Sequence, residues 1–242
     1  YHVMKAAIKK GMAGVMSHSG MSGGDAKRIR EYISGGNYLT DTTLLNAICY
    51  AVSVNEVNAS MGLVCATPTA GSSGVLPGVL MAVKEKLGLD DEEVVMHLFT
   101  AGAFGLVIAN NAFISGTTGG CQAEIGSASA MAAAAVTEMA GGAPFQAAHA
   151  MALAMKNMLG LTCDPLAGLV EVPCIKRNAA GASNALTAAE MALAGVESKV
   201  KWDEVISAMY HIGLSIPVTL RETSVAGLAA TETGKQWKKA LL

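Results

Sequence analysis

Three of the five cysteines in this 242-residue chain, Cys121, Cys163 and Cys174, lie beside Gly or Pro in segments that read as loops or element ends. Thiolates so placed are free of helix packing and suited to metal ligation. Cys49 differs. It falls among Ile48, Tyr50 and Val52 in a helical pattern, where a thiol acts as a small core residue. Cys65 opens a Gly/Thr/Ser loop and fits either packing or a place near a site. An odd number of widely spread cysteines, in a chain long enough to build its own core, argues against a disulfide framework. Reduced thiols in a cytoplasmic compartment are expected instead. The long spacings between the three loop cysteines lack the short CxxC knuckles of zinc ribbons and the compact runs of ferredoxins. Spacing alone leaves packing and metal binding both open. Three thiolates rather than four would leave one metal position free, which Lewis-acid chemistry requires.

Four loops look built for ligand contact. They are SHSGMSGGD (17–25), CATPTAGSSGVLP (65–77), NNAFISGTTGGCQ (110–122) and GLTCDPLAGLVEVPCIKRN (160–178). Gly and small hydroxyl residues let backbone N–H groups approach a bound anion, above all where the loop feeds a helix. The same residues also mark ordinary turns. No loop ends in the GK[ST] of a nucleotide phosphate loop. Of the histidines, His97, His149 and His211 fall in helical runs, and His18 is the one in a loop that could face a ligand.

The elements that must carry these loops read as helices. Leu44, Ile48 and Val52 recur every four residues; Asp90-Asp91-Glu92-Glu93 suits the positive end of a helix; Pro144 opens a periodic run. Gly88, Gly141, Gly195 and Gly213 each follow such a run, the usual place of a C-terminal glycine. Sustained alternation and hairpin turn pairs are missing. The expectation is an all-α fold of about nine helices in a single domain over residues 1–242. Apolar residues make up 52% of the chain, but Gly, Pro, Asn and Glu interrupt every long apolar stretch. No segment is therefore expected to span a membrane. A net charge of −2 without a basic block argues against nucleic acid. No signal peptide is recognisable, and the helical pattern that begins at once suggests a chain that starts partway through a longer one.

The segments NEVNA (55–59), ATPTAGSSGVLP (66–77), NAFISG (111–116), GCQAEIG (120–126), GLTCDPLAGLVEVPCIKRNA (160–179) and RETSVAGLA (221–229) together resemble the α chain of the iron–sulfur L-serine dehydratases. The resemblance implies a 4Fe–4S cluster ligated by Cys121, Cys163 and Cys174, with L-serine losing water to give pyruvate and ammonia. It also implies an oligomeric enzyme completed by a β chain that carries its own histidine motif. On that reading Thr67, Thr69, Ser72 and Ser73 are candidates for the substrate carboxylate, and Asn111, Ser115 and Gln122 for the same pocket. His18 is the candidate base within this chain. Arg177 and Arg221 fit either carboxylate binding or pairing with Glu171 or Glu222. Phe113 and Ala226 depart from the family pattern. The C-terminal GKQWKKALL lacks the cysteine with which some single-chain members cap the cluster. Cysteine desulfidases share similar cysteine segments, and a non-catalytic iron–sulfur scaffold or sensor is the reading from another class.

Overall fold

The computed structural model of the chain describes residues 1–241 and turns the periodic stretches into helix. They are α1 (His2–Met12), α2 (Asp25–Ser34), α3 (Thr42–Ala59), α4 (Val75–Leu87), α5 (Asp91–Asn111), α6 (Gly116–Gly119), α7 (Ser127–Met139), α8 (Pro144–Lys156), α9 (Cys174–Leu193), α10 (Trp202–Ser215) and α11 (Glu232–Leu241). The described residues hold no β-strand, only two isolated bridges, so the all-α expectation holds. Eleven helices rather than nine reflects in part the four-residue α6, too short to leave a periodic signal. The local signals act as read. Asp90 and Glu93 form a reciprocal capping box at 2.9 and 2.7 Å. Asp41 caps α3 by accepting the Leu44 N–H at 2.8 Å. Gly88, Gly141 and Gly195 adopt positive φ just past helix ends. Gly213 does not. It lies buried inside α10, where an added Cβ would stand 3.0 Å from the Phe113 ring and 3.2 Å from Gly119 Cα. Close approach of α6, not chain reversal, requires glycine there.

Helices α3, α4, α7 and α9 pack on one another, with α1 and α2 against α3, α5 and α8 against α7, and α10 against α8. The centre is α7, whose Ala128, Ala130 and Ala132 to Ala135 are fully buried. A helix apolar on all sides must be enclosed. Alanine's single carbon lets four neighbours close around it and loses no side-chain entropy on burial. A polar seam joins α7 to α9. Ser129 donates to the Gly181 carbonyl at 2.9 Å, and Asn184 donates to Ser129 Oγ at 2.8 Å.

Glycine sets the α3–α4 contact. A Cβ on Gly78 would stand 2.7 Å from the Ala51 nitrogen, and one on Gly74 would stand 2.1 Å from the Ala51 carbonyl oxygen. Gly78→Ala is therefore expected to destabilise the chain by about 1–3 kcal/mol through overpacking. Alanine's better helix propensity, worth about 1 kcal/mol, does not offset this. Urea denaturation reads the change, and an unchanged or higher midpoint would contradict the contact.

Helix α5 departs from the sequence expectation. Its 21 residues reach a mean hydropathy of 1.4, long and apolar enough to cross a bilayer, and only 17% of that stretch is buried. Val94, Ala101 and Ile108, spaced by seven, are its buried stripe, and α7 is its main neighbour. His97 and Thr100 both bond Glu138 on α7. Those two bonds outweigh burial and hold the Glu138 carboxyl below its usual range.

Candidate metal centre and active site

Each cysteine of interest is delivered by a different piece of backbone. Cys121 follows Gly120, whose φ of 75° and whose missing Cβ, otherwise 2.8 Å from the Leu161 carbonyl oxygen, let the chain turn tightly into a π-helical turn, Gln122–Gly126. Such turns concentrate at functional sites. Cys163 is pinned between two main-chain bonds, its N–H to the Leu220 carbonyl at 2.9 Å and its carbonyl to the Glu222 N–H at 2.7 Å. Cys174 is the first residue of α9. All three thiols are buried.

The Cys121 and Cys163 sulfurs and a Glu124 carboxylate oxygen lie within 4.8 Å of one another, a group that could hold a metal. Cys174 stands outside that tight group but close enough to feel the charges of Cys121 and Glu124. Arg177 completes the arrangement. Its guanidinium donates to Cys121 Sγ at 3.3 Å, to the Thr162 carbonyl at 2.8 Å and to Asp164 at 3.0 Å. Asp164 also accepts the Leu228 N–H at 2.8 Å, which ties the RETSVAGLA segment to the Cys163 loop. Arg177 thus pairs with Asp164 rather than Glu171. Arg221 donates to the carbonyls of Ile216 and Leu214, both at 2.8 Å, rather than to Glu222.

The electrostatics follow from these contacts. A hydrogen bond from Cys163, joined by Arg177, outweighs burial and lowers the pKa of Cys121. Donating that bond, and burial, raise Cys163. Arg177, which donates to Cys121, favours negative charge on that sulfur. Burial is the main cause that raises Cys174. Burial also raises Glu124, reinforced by Glu222 and opposed by hydrogen bonds from Thr69 and the Gly116 amide. Glu222 sits at a φ of 62° and is itself raised by burial. Cys49 behaves as the core thiol expected, buried and pushed up to about 11 by burial.

Two asparagines hold the loop before α4 against this centre. Asn178 accepts the Gly74 N–H at 2.9 Å and donates to the Gly71 and Cys174 carbonyls at 2.7 and 2.9 Å. Asn55 donates to the Gly71 carbonyl at 3.1 Å. The neighbouring Glu56 accepts the Asp25 N–H at 2.7 Å, and Glu171 accepts the Ser19 and Ser22 hydroxyls at 2.7 and 2.6 Å. Both Gly-rich loops are therefore anchored, one to α3 and α9, the other to α3 and the Cys163–Cys174 segment.

The hydroxyl candidates separate. Thr69 donates to Glu124 at 2.7 Å and sits 3.1 Å from Ser72 Oγ. Ser72 and Ser73 are fully buried, and Ser73 Oγ accepts from Asn55 at 3.4 Å. Thr67 Oγ1 is buried with no hydrogen-bond partner among the described residues. Ser115 caps α6 through the Thr117 N–H and lies 2.7 Å from the Thr117 hydroxyl. Gln122 is fully buried, with its amide committed to the Met209 carbonyl at 3.0 Å and the Gly160 N–H at 2.9 Å. It braces the turn that presents Cys121. Asn111 bonds its own helix at the Val107 carbonyl and lines a cavity of about 300 Å³ against α10 that contains none of the cysteines. The His18 side chain is exposed on its loop. A cavity of about 620 Å³ between α3, α4, α7 and α9 also lacks the cysteines. The donor chemistry locates the site, not cavity size. Sequence reasoning passed over Glu124 and Asp164; a carboxylate three residues after Cys121 in a Gly-bounded turn was the available signal.

Comparison with known proteins now decides the family. The model of the serine dehydratase alpha chain family matches residues 1–229. The chain belongs to that family. Among individual alpha chains, it is 62% identical to the probable L-serine dehydratase alpha chain of Bacillus subtilis, over 99% of this chain and 80% of that one. It is 49% identical to the L-serine dehydratase alpha chain of Peptoniphilus asaccharolyticus, over 92% and 76% respectively. The L-serine dehydratase of Streptomyces coelicolor is 40% identical over 95% of this chain, which spans only 51% of that longer protein. This serine dehydratase alpha chain is thus similar both to separate alpha chains and to one half of longer ones.

Proposed function

We propose that this chain is the iron–sulfur half of an L-serine dehydratase, acting in the cytoplasm with a β chain. The single observation that carries the reading is the convergence of the buried Cys121 and Cys163 thiols on the Glu124 carboxylate, with the Cys174 thiol near enough to feel their charge, in a family of serine dehydratase alpha chains. Soft sulfur donors without an imidazole fit an iron–sulfur group. The unpartnered Thr67 hydroxyl beside an anchored Gly-rich loop fits a site that also receives a polar ligand. Cys121, Cys163 and Cys174 would hold the 4Fe–4S cluster. When bound, the cluster supplies a Lewis acid for expelling hydroxide, worth several kcal/mol of charge stabilisation.

The chain's own residues do the rest of the positioning. Arg177 steadies the Cys121 sulfur and is itself held by Asp164. Thr67 offers a donor to the serine carboxylate ahead of α4, where the helix dipole also favours negative charge. Asn55 and Asn178 keep that loop in register with Cys174. Loss of the hydroxyl and of the α-proton, which together make one water, gives aminoacrylate, which tautomerises to the imine and hydrolyses to pyruvate and ammonia.

Anaerobic reconstitution tests the reading. About four iron and about four sulfide per chain are expected, the composition of the cluster, together with a spectral change when L-serine is added. A single zinc ion without sulfide, stable in air, would sink it. Two sulfurs and one carboxylate oxygen within 4.8 Å are also a donor set for one ion, so the sulfide count decides.

A further inference from the structure

Glu124 has no part in the scheme above, yet its carboxylate reaches the sulfurs of Cys121 and Cys163. The approach is built. A Cβ on Gly116 would stand 2.8 Å from both Cys163 Sγ and Glu124 Oε2, and one on Gly71 would stand 3.3 Å from Glu124 Oε1. Two glycines from two different loops thus leave the space that the carboxylate fills. Thr69 fixes its orientation with a 2.7 Å bond to Oε1, leaving Oε2 on the Cys163 side. No cation among the described residues pairs with it, since Arg177 is given to Cys121, Thr162 and Asp164. A partly buried carboxylate without a counter-cation is costly unless something positive lies alongside. Its turn also begins directly after a proposed cluster ligand.

We propose that the Glu124 carboxylate is the chain's own oxygen ligand for the one iron that the three cysteines leave open, and that substrate displaces it. The proposal rests on the iron–sulfur reading. Thr69 then acts as a positioning residue, because it holds the carboxylate through Oε1 and leaves Oε2 on the Cys163 side.

The test uses the anaerobically reconstituted α chain together with its β chain, in water enriched in oxygen-17. Iron and sulfide counts come first. A wild-type complex without a cluster fails the iron–sulfur reading itself, and this proposal falls with it. With the cluster present, electron–nuclear double resonance of the reduced wild type is expected to show no oxygen-17 coupling, because the protein carboxylate excludes solvent. The Glu124→Gln variant keeps the shape and the Thr69 contact but is a poor iron ligand. It is expected to gain the coupling, to show altered g-values, and to bind L-serine with a severalfold lower apparent Kd, since a water ligand is displaced more readily than a tethered carboxylate. A clear solvent coupling in the wild type overturns the proposal, and that measurement does not depend on the variant folding. So does a Glu124→Gln cluster with the spectrum and serine affinity of the wild type.

Discussion

Changing Cys121, Cys163 or Cys174 to Ser is expected to leave a folded chain that retains no cluster, whereas Cys49→Ser keeps its iron. The contrast comes from what each sulfur touches. Cys49 donates to the Ala26 carbonyl at 3.4 Å inside the α2–α3 contact, and its thiol stays neutral with a pKa of about 11. Replacing it by a buried hydroxyl costs about 1–3 kcal/mol and touches no ligand. The other three stand around Arg177 and Glu124, and a hydroxyl in their place is a harder, more basic donor that holds iron–sulfur groups poorly. Cys174→Ser carries the most information, because its sulfur lies outside the tight Cys121–Glu124–Cys163 group. Iron analysis of the four variants after identical reconstitution, with circular dichroism as the check on folding, gives the answer. Full iron in Cys163→Ser alongside loss in Cys49→Ser would reverse the assignment.

The isolated chain, fully reconstituted, is expected to form little or no pyruvate from L-serine, and the cognate β chain is expected to restore turnover. Elimination needs a base at the α-carbon, typically worth about 10²–10⁴ in rate. The histidines of this chain are engaged elsewhere or face solvent. His97 bonds Glu138, His149 accepts the Ser198 N–H at 3.1 Å, and His211 bonds the Ser207 carbonyl at 2.8 Å. His18 and His2 are exposed. The loops that frame the centre also carry uncovered apolar side chains, with Met61 and Leu63 exposed by 81% and 74% just before Cys65, and Val218 by 68%. Such surface is what a partner covers. An anaerobic lactate dehydrogenase-coupled assay of the α chain alone, and after mixing with the β chain, measures the difference. Substantial turnover by the α chain alone would refute the interface-completed site and make His18 the leading base.

Much of this protein was legible in one dimension. The helix start at Asp90 and the stops at Gly88, Gly141 and Gly195 are local facts, set by capping and backbone freedom. The three loop cysteines were visible because ligand residues beside Gly and Pro escape helical periodicity. The same local logic misplaced Gly213, since a glycine that ends a helix and one that admits a neighbouring helix look alike until the neighbour is in place.

What only the tertiary structure decided is which groups meet. Arg177 looked as able to pair with Glu171 as with any other carboxylate, yet Glu171 is taken by Ser19 and Ser22, and Arg177 turns to Asp164 and Cys121. Asn55 and Asn178 converge on the same Gly71 carbonyl from α3 and α9. Glu124 reaches the sulfurs because Gly71 and Gly116, each in another loop, lack the carbon that would block it. Composition and spacing determined that this chain builds close-packed helices and frees three thiols. The approach of distant backbones, which depends on every helix contact at once, determined the charges and oxygens that surround those thiols.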